Sequence, residues 1–191
     1  MDVAPPKPPL SDGIVTLRLW SRRDAAELVA ALDGDEEITQ WLDSIPQPYT
    51  DADAHAWLSQ TGRSWSEGAG CPFAVVDAAT GRLLGGIGVR WNDRVNQIGE
   101  VGYWARADVR GQGVTTRALR LVSEWALGVA GCERLVLRSD TRNLPSQRVA
   151  ERAGFVREGI ERSARFSPRQ GRRVDFVVYA RLPGDVLVEA P

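Results

Sequence analysis

Gly99-Glu100-Val101-Gly102-Tyr103-Trp104-Ala105 leads through Asp108-Val109-Arg110-Gly111-Gln112-Gly113-Val114-Thr115 into Thr116-Arg117-Ala118-Leu119. This stretch reads as a strand, a turn with two glycines and the start of an amphipathic helix. Glycines at alternate positions let a backbone approach a ligand closely and turn its N–H groups toward one point. The helix that follows adds four N–H groups without intrahelical partners and the positive end of its dipole, about half a charge. Together they form a seat for a phosphate or pyrophosphate. A Walker A loop is excluded, because no Gly-Lys-Ser/Thr occurs there. A dinucleotide fingerprint needs a third glycine where Thr116 stands, and normally belongs to the first strand–helix unit of a chain.

Outward from this stretch the chain alternates strands and helices. Upstream, Ile14–Trp20 alternates as a strand, Ala25–Leu32 carries a helical apolar pattern, and Ile38–Leu42 forms a short further turn of helix. After the break at Pro46, Pro48 and Tyr49, Thr50 or Asp51 caps a helix over Ala52–Ser59. Phe73–Asp77 and Leu83–Val89 form a hairpin about the turn Asp77–Arg82. Downstream, Ala118, Leu119, Val122, Trp125 and Ala126 give the helix one apolar face. Arg134–Ser139 is a strand, Asn143–Gly154 a short helix with its left-handed stop, Phe155-Val156 opens a strand, and Val174–Leu182 is the last. Antiparallel strands followed by strand–helix–strand–helix predict an α+β fold.

Composition narrows the function classes. The 191 residues carry a formal net charge of -1, which argues against nucleic acid or an anionic membrane as a bulk electrostatic partner. No apolar run approaches the roughly 18 residues of a spanning helix, and the start does not read as a signal peptide. Cys71 and Cys132 fit no metal-ligand spacing and read as reduced, partly buried thiols. The only histidine, His55, cannot by itself build a histidine metal site or a Ser-His-Asp triad. A cytoplasmic, metal-free protein is expected. The domain is expected over 13–184, with a disordered or extended Pro-rich lead-in over 1–12 and a tail over 185–191.

Arg110-Gly111-Gln112-Gly113-Val114-Thr115, the later Asn143-x-x-Ser146 and Ala153-Gly154-Phe155, in this order, resemble a GNAT-type N-acetyltransferase. Ile38-Thr39-Gln40-Trp41-Leu42 with Pro48-Tyr49-Thr50, and Gly171-Arg172-Arg173-Val174-Asp175 with Tyr179, are similar to the RimJ/RimL branch, which acetylates ribosomal-protein N-termini. The resemblance implies a central mixed, mostly antiparallel sheet of about 6–7 strands, with a splayed central strand pair and helices on both faces. It implies acetyl-CoA as acyl donor and a primary amine as acceptor, with dimers common among such relatives. In the acetyl-CoA signature Gln/Arg-x-x-Gly-x-Gly/Ala the first position is set at Asp108, a departure whose carboxylate should point away from a pyrophosphate.

The same resemblance distributes roles. The backbone of Tyr103, Trp104 and Ala105 pairs with the pantetheine arm like a missing strand. Val109, Arg110, Gly111, Gln112, Gly113, Val114 and Thr115 hold the pyrophosphate. Asn143 bonds the arm's amides, and Ser146 lies near the sulfur as a proton donor; a helix cap and an exposed first-turn serine are sufficient explanations by themselves, and the spacing inside the resemblance favours the functional roles. Glu100, on the same strand face as Gly102 and Trp104, is the candidate base, against the alternative of a surface carboxylate paired with arginine. Relatives place a glutamate near Arg165; here Glu158 and Glu161 are displaced from that position, so that base does not transfer. Asp175 is a further family-like position.

Trp41, Tyr49, Trp91 and Arg165 are expected on the acceptor side, with His55 and Trp57 in the bordering segment. Arg162, Arg165, Arg169, Arg172 and Arg173 suggest an acidic acceptor or a carboxylated donor such as succinyl-CoA. The expected activity is acyl transfer to the N-terminal α-amine of a protein or peptide. Two alternatives stay open: a small-amine acetyltransferase acting on an amino acid, polyamine or aminoglycoside, and a catalytically silent acyl-CoA-binding module.

Overall fold

Alternation of buried side chains divides the central strands between two cores. In the strand Gly70–Asp77, Phe73 and Val75 face one side and Ala74 and Val76 the other, which places helices on both faces of one sheet. The computed structural model describes residues 3–185. Its strands are β1 (Leu10–Ser11), β2 (Val15–Arg18), β3 (Gly70–Asp77), β4 (Leu83–Asp93), β5 (Ile98–Ala105), β6 (Arg134–Asp140), β7 (Val156–Ser167) and β8 (Arg172–Arg181). They lie in the order β1-β2-β3-β4-β5-β6-β8-β7, and only β5 and β6 run parallel. The eighth strand beyond the expected six or seven is β1, inside the stretch expected as lead-in: Leu10 and Ser11 pair with Leu17 and Thr16. The tail from 186 onward lies outside the described residues.

The helices are α1 (Ala25–Leu32), α2 (Glu36–Trp41), α3 (Asp51–Ser66), α4 (Val114–Gly128) and α5 (Leu144–Arg152). On one face α4 sets Ala118, Leu119, Val122, Trp125 and Ala126 against Phe73, Val89, Val101 and Leu135. Each large side chain buried there stabilises the fold by roughly 1.5–3 kcal/mol. On the other face α1 and α3 pack Leu28, Leu32, Ala54 and Leu58 onto Ala74, Val76 and Leu83. The α3 helix outruns its expected end at Ser59 by two turns. Its polar stretch is held by Thr61 and Ser64 hydroxyls bonded to earlier carbonyls, and Trp65 anchors the end against Phe73 and Trp125.

The feature that positions the site is a parting of strands. β5 and β6 pair only at Ile98↔Arg134, Gly99↔Leu135 and Glu100↔Val136. Beyond Glu100, β5 stays on β4 as far as Ala105, while β6 follows β8 as far as Asp140. A wedge-shaped gap opens between Val101–Ala105 and Leu137–Asp140, as expected of the splayed pair.

Candidate active site

The gap opens into a cavity of about 740 Å³ bounded by β5, β6, the start of α4, α5, α2 and the β7–β8 hairpin. At one end lies the glycine turn. Gly111 and Gly113 have φ of 75° and 80°, a conformation that side chains disfavour, and a Cβ at either would meet nothing within 4 Å. Gly113 caps α4 without a side chain, so no side-chain acceptor occupies the first N–H groups of that helix. Asp108 turns away from the turn to Arg82 and Arg106, and its bond to Arg82 holds its carboxyl below the usual range. The acetyl-CoA signature therefore fits better two residues on from the register set above. Arg110-Gly111-Gln112-Gly113-Val114-Thr115 places its obligatory glycine at the α4 cap, and the departure moves from Asp108 to Thr115.

Farther along the gap the α5 start and β5 meet. Asn143 caps α5, accepting from the Ser146 N–H at 3.1 Å. The Tyr103 hydroxyl lies 3.1 Å from the Ser146 carbonyl oxygen and 2.9 Å from Ser146 Oγ. One arrangement satisfies both contacts: the phenol donates to the carbonyl and Ser146 Oγ donates to the phenol oxygen. Burial pushes the Tyr103 phenol well above its usual range, so it stays protonated. Tyr103 was expected to act through its backbone; its side chain belongs to the site as well.

At the apex, where the strands part, Glu100 Oε2 accepts from Asn92 Nδ2 at 2.5 Å and from Arg138 at 2.9 Å, with Arg90 at 3.5 Å. Arg138 also holds Glu161 through bonds of 3.0–3.2 Å, so one guanidinium spans two carboxylates, and these bonds keep it firmly charged. Glu100, Arg138 and Glu161 all face the cavity. Glu161 reaches it because β7 bulges: Glu161 pairs with Phe176 and Arg165 with Val174, leaving three residues opposite Asp175 alone. Asp175 itself accepts from the Ser163 N–H at 2.7 Å.

The structure brings together Trp41, Glu100, Tyr103, Trp104, Ala105, Arg110, Thr115, Asn143, Ser146 and Arg165 around the cavity. Val109 and Val114 are buried beneath the turn as part of the α4 core, while Gln112 sits exposed on it. Two acceptor-side expectations are corrected. Tyr49 is 5% exposed within the α1–α3 core, and Trp91 is 7% exposed on the inward face of β4, against Gly99. Trp57 packs edge-on against Trp20 in that second core, and His55 pairs with Asp51 on the surface of α3. Two of the hairpin arginines are less available than expected: Arg165 binds Asp43 at 3.1 Å and stacks over Phe176, and Arg169 donates to the Ile45 carbonyl.

Sequence reasoning missed Arg138 and Asn92 and set Glu161 aside. A lone charge following Leu135-Val136-Leu137 in a buried strand was the available signal for Arg138. Both cysteines are buried thiols; burial pushes Cys71 up to about 12 and raises Cys132. Among the described residues no cluster of His, Cys, Asp and Glu could hold a metal ion, and no helix is long and apolar enough to cross a membrane.

A family model described as an acetyltransferase (GNAT) domain matches residues 15–156. YdaF of Bacillus subtilis (strain 168), to which ribosomal N-acetylation is ascribed, is 26% identical over 88% of this chain and 91% of its own. Two solved structures share the fold. RimL, the ribosomal L7/L12 alpha-N-protein acetyltransferase in complex with coenzyme A, has a TM-score of 0.80 at 21% identity, covering 91% of this chain and 96% of that one. Mycobacterium smegmatis RimJ in complex with CoA-disulfide has a TM-score of 0.82 at 19% identity, covering 95% and 88%. With the parted strands, the bare α4 cap and a family match across most of its length, the chain belongs to the GNAT acetyltransferases, enzymes that use acetyl-CoA.

Proposed function

We propose that this enzyme acetylates the α-amine at the N-terminus of a protein or peptide. The observation that carries the proposal is the apex of the gap. There Glu100, whose Oε1 takes no bond among the described residues, lines the same cavity as the Ser146–Tyr103 hydroxyl pair. Acetyl-CoA supplies an activated carbonyl and a thiolate leaving group. The N–H groups of Gly111, Gly113 and the first turn of α4 hold phosphate oxygens, and the gap-facing backbone of Val101–Ala105 holds the arm in strand fashion. Glu100 accepts a proton from the acceptor ammonium, directly or through water, so that the neutral amine attacks. As the new C–N bond forms and the C–S bond breaks, Ser146 Oγ, oriented by Tyr103, passes its proton to the departing sulfur and takes in its place the proton that the attacking nitrogen sheds.

Amine basicity favours the α-amine. At pH 7.5 a lysine ammonium, pKa about 10.4, costs roughly 4 kcal/mol to neutralise, whereas an α-ammonium, pKa about 8, costs under 1. A carboxylate already engaged by Arg138 and Asn92 suits the smaller task. The test is thiol release from acetyl-CoA with three acceptor sets: short peptides with free N-termini, N-blocked lysine peptides, and small amines. Products are mapped by mass spectrometry. Transfer to free N-termini alone is expected. Preference for small amines or lysine would overturn the acceptor assignment, and donor binding without turnover on any acceptor would indicate a silent acyl-CoA module.

A further inference from the structure

Arg110 stands inside the glycine turn, yet its side chain leaves it. Nε donates to the Ala105 carbonyl at 3.2 Å, one Nη donates to Glu37 Oε2 at 2.9 Å, and the other donates to Asp35. Asp35 uses its second oxygen to cap α2, accepting from the Ile38 N–H at 3.0 Å. One carboxylate thus both starts α2 and fastens it to the cofactor turn. The guanidinium is 25% exposed and the Asp35 side chain 10%, so this pair is shielded more than an ordinary surface bridge.

The other end of α2 is fastened to the hairpin. Ser167 donates to Asp43 at 2.8 Å, Arg165 pairs with the same carboxylate, and Gln170 donates to the Gln40 carbonyl at 3.1 Å. Between the two clamps, Glu37, Ile38, Trp41 and Leu42 form one wall of the cavity. A six-residue helix has too few hydrogen bonds to hold itself. Ile38 anchors it in the second core, and its setting against the turn and the hairpin depends on the side chains that fasten its ends.

We infer that Arg110 is a positioning residue for the acceptor wall, holding α2 against the glycine turn, and is not a phosphate ligand. The inference rests on the assignment of that turn to the acetyl-CoA pyrophosphate. Each of the three Arg110 guanidinium nitrogens already donates, to Ala105, Glu37 and Asp35, which turns the side chain toward α2 and leaves the phosphates to backbone N–H groups. Donor seat and acceptor wall are consequently joined through one side chain.

Hydrogen exchange of residues 33–45 and calorimetric binding of coenzyme A at low and high salt test this in Arg110→Gln, Arg110→Lys and Asp35→Asn/Glu37→Gln. In Arg110→Gln, exchange of 33–45 should accelerate about tenfold without ligand, and Arg110→Lys should recover part of the protection. Asp35→Asn/Glu37→Gln should accelerate it equally, with nothing added by Arg110→Gln in that background. Coenzyme A affinity should move less than about threefold in Arg110→Gln with its salt dependence kept, while the Michaelis constant of the preferred amine rises about tenfold. Unchanged exchange in Arg110→Gln overturns the inference. So does a tenfold loss of coenzyme A affinity with flattened salt dependence in Arg110→Gln but not in Asp35→Asn/Glu37→Gln, which would make Arg110 a phosphate ligand. Failure of the wild type to bind coenzyme A would instead sink the assignment of the turn, leaving the exchange comparison to judge the clamp.

Discussion

Glu100 has two unlike carboxylate oxygens. Oε2 takes Asn92 and Arg138, which fixes the side chain against the apex of the gap, while no bond within the described residues takes Oε1. An acceptor that can bind a proton and is already oriented meets the geometric demand on a base before chemistry begins. Glu100→Gln keeps the shape and the bond from Arg138 but loses the basicity. Turnover should fall by about 10²–10⁴-fold with coenzyme A affinity unchanged, read by steady-state kinetics beside calorimetry. Undiminished turnover would pass the role to Glu161, which shares Arg138. The sequence made Glu100 legible because strand alternation set it on one face with Gly102 and Trp104. It could not reveal Arg138, whose meaning depends on β5 and β6 lying side by side, or Glu161, which a bulge in β7 redirects.

Helix and strand ends, more than helix and strand bodies, set the site. The turn from β6 into α5 is built on Asp140, whose Oδ1 accepts from the Arg142 N–H at 2.9 Å and from its Nε at 3.0 Å, while Oδ2 takes Nη2 at 2.8 Å. Burial alone would raise the Asp140 pKa, but the Arg142 bonds outweigh it and the carboxyl is held below its usual range. A lowered folded-state pKa means stability that is present above the ordinary aspartate pKa of about 3.9 and lost as pH falls through the folded value. Asp140→Asn can still accept from the backbone N–H, and Arg142 is nearly half exposed, so the ionic part is worth about 1 kcal/mol near neutrality. Denaturant melts should show that difference at pH 7 and its progressive loss as pH falls below the ordinary aspartate value. A difference that persisted in acid would show the carboxylate charge to be irrelevant there. Element ends were also where sequence reading fell short. Thr50 or Asp51 was readable as the α3 cap, and the structure gives the cap to Thr50; the polar run after Ser59 hid the continuation to Ser66, which Trp65 anchors against Phe73 and Trp125.

Across the whole molecule, two cores clamp a sheet that is incomplete at its centre. The glycine turn and the Asn143 cap were readable as local structure because they depend on order along the chain, and the splayed pair followed from the family pattern. Trp91 and Tyr49 were misplaced because an aromatic residue carries no sign in sequence of which face it will meet; the sheet turned Trp91 inward, and the α1–α3 core took Tyr49. The gap between Val101–Ala105 and Leu137–Asp140 leaves strand backbone without a strand partner on its inner side, and such groups seek hydrogen bonds. An arm that pairs there joins the halves of the sheet held by α4 on one side and α5 on the other. Acetyl-CoA at a hundredfold excess over its dissociation constant should stabilise the native state by about 2.7 kcal/mol. For a chain of this size that is a rise in Tm of roughly 5–10 °C. The increase alone would follow from binding anywhere; its location is the stricter test. Exchange should slow in 101–105 and 137–140 together with the turn at 110–115, and stay as it was in β2 and β3. Protection confined to 110–115 would mean that the nucleotide end binds while the gap stays unbridged.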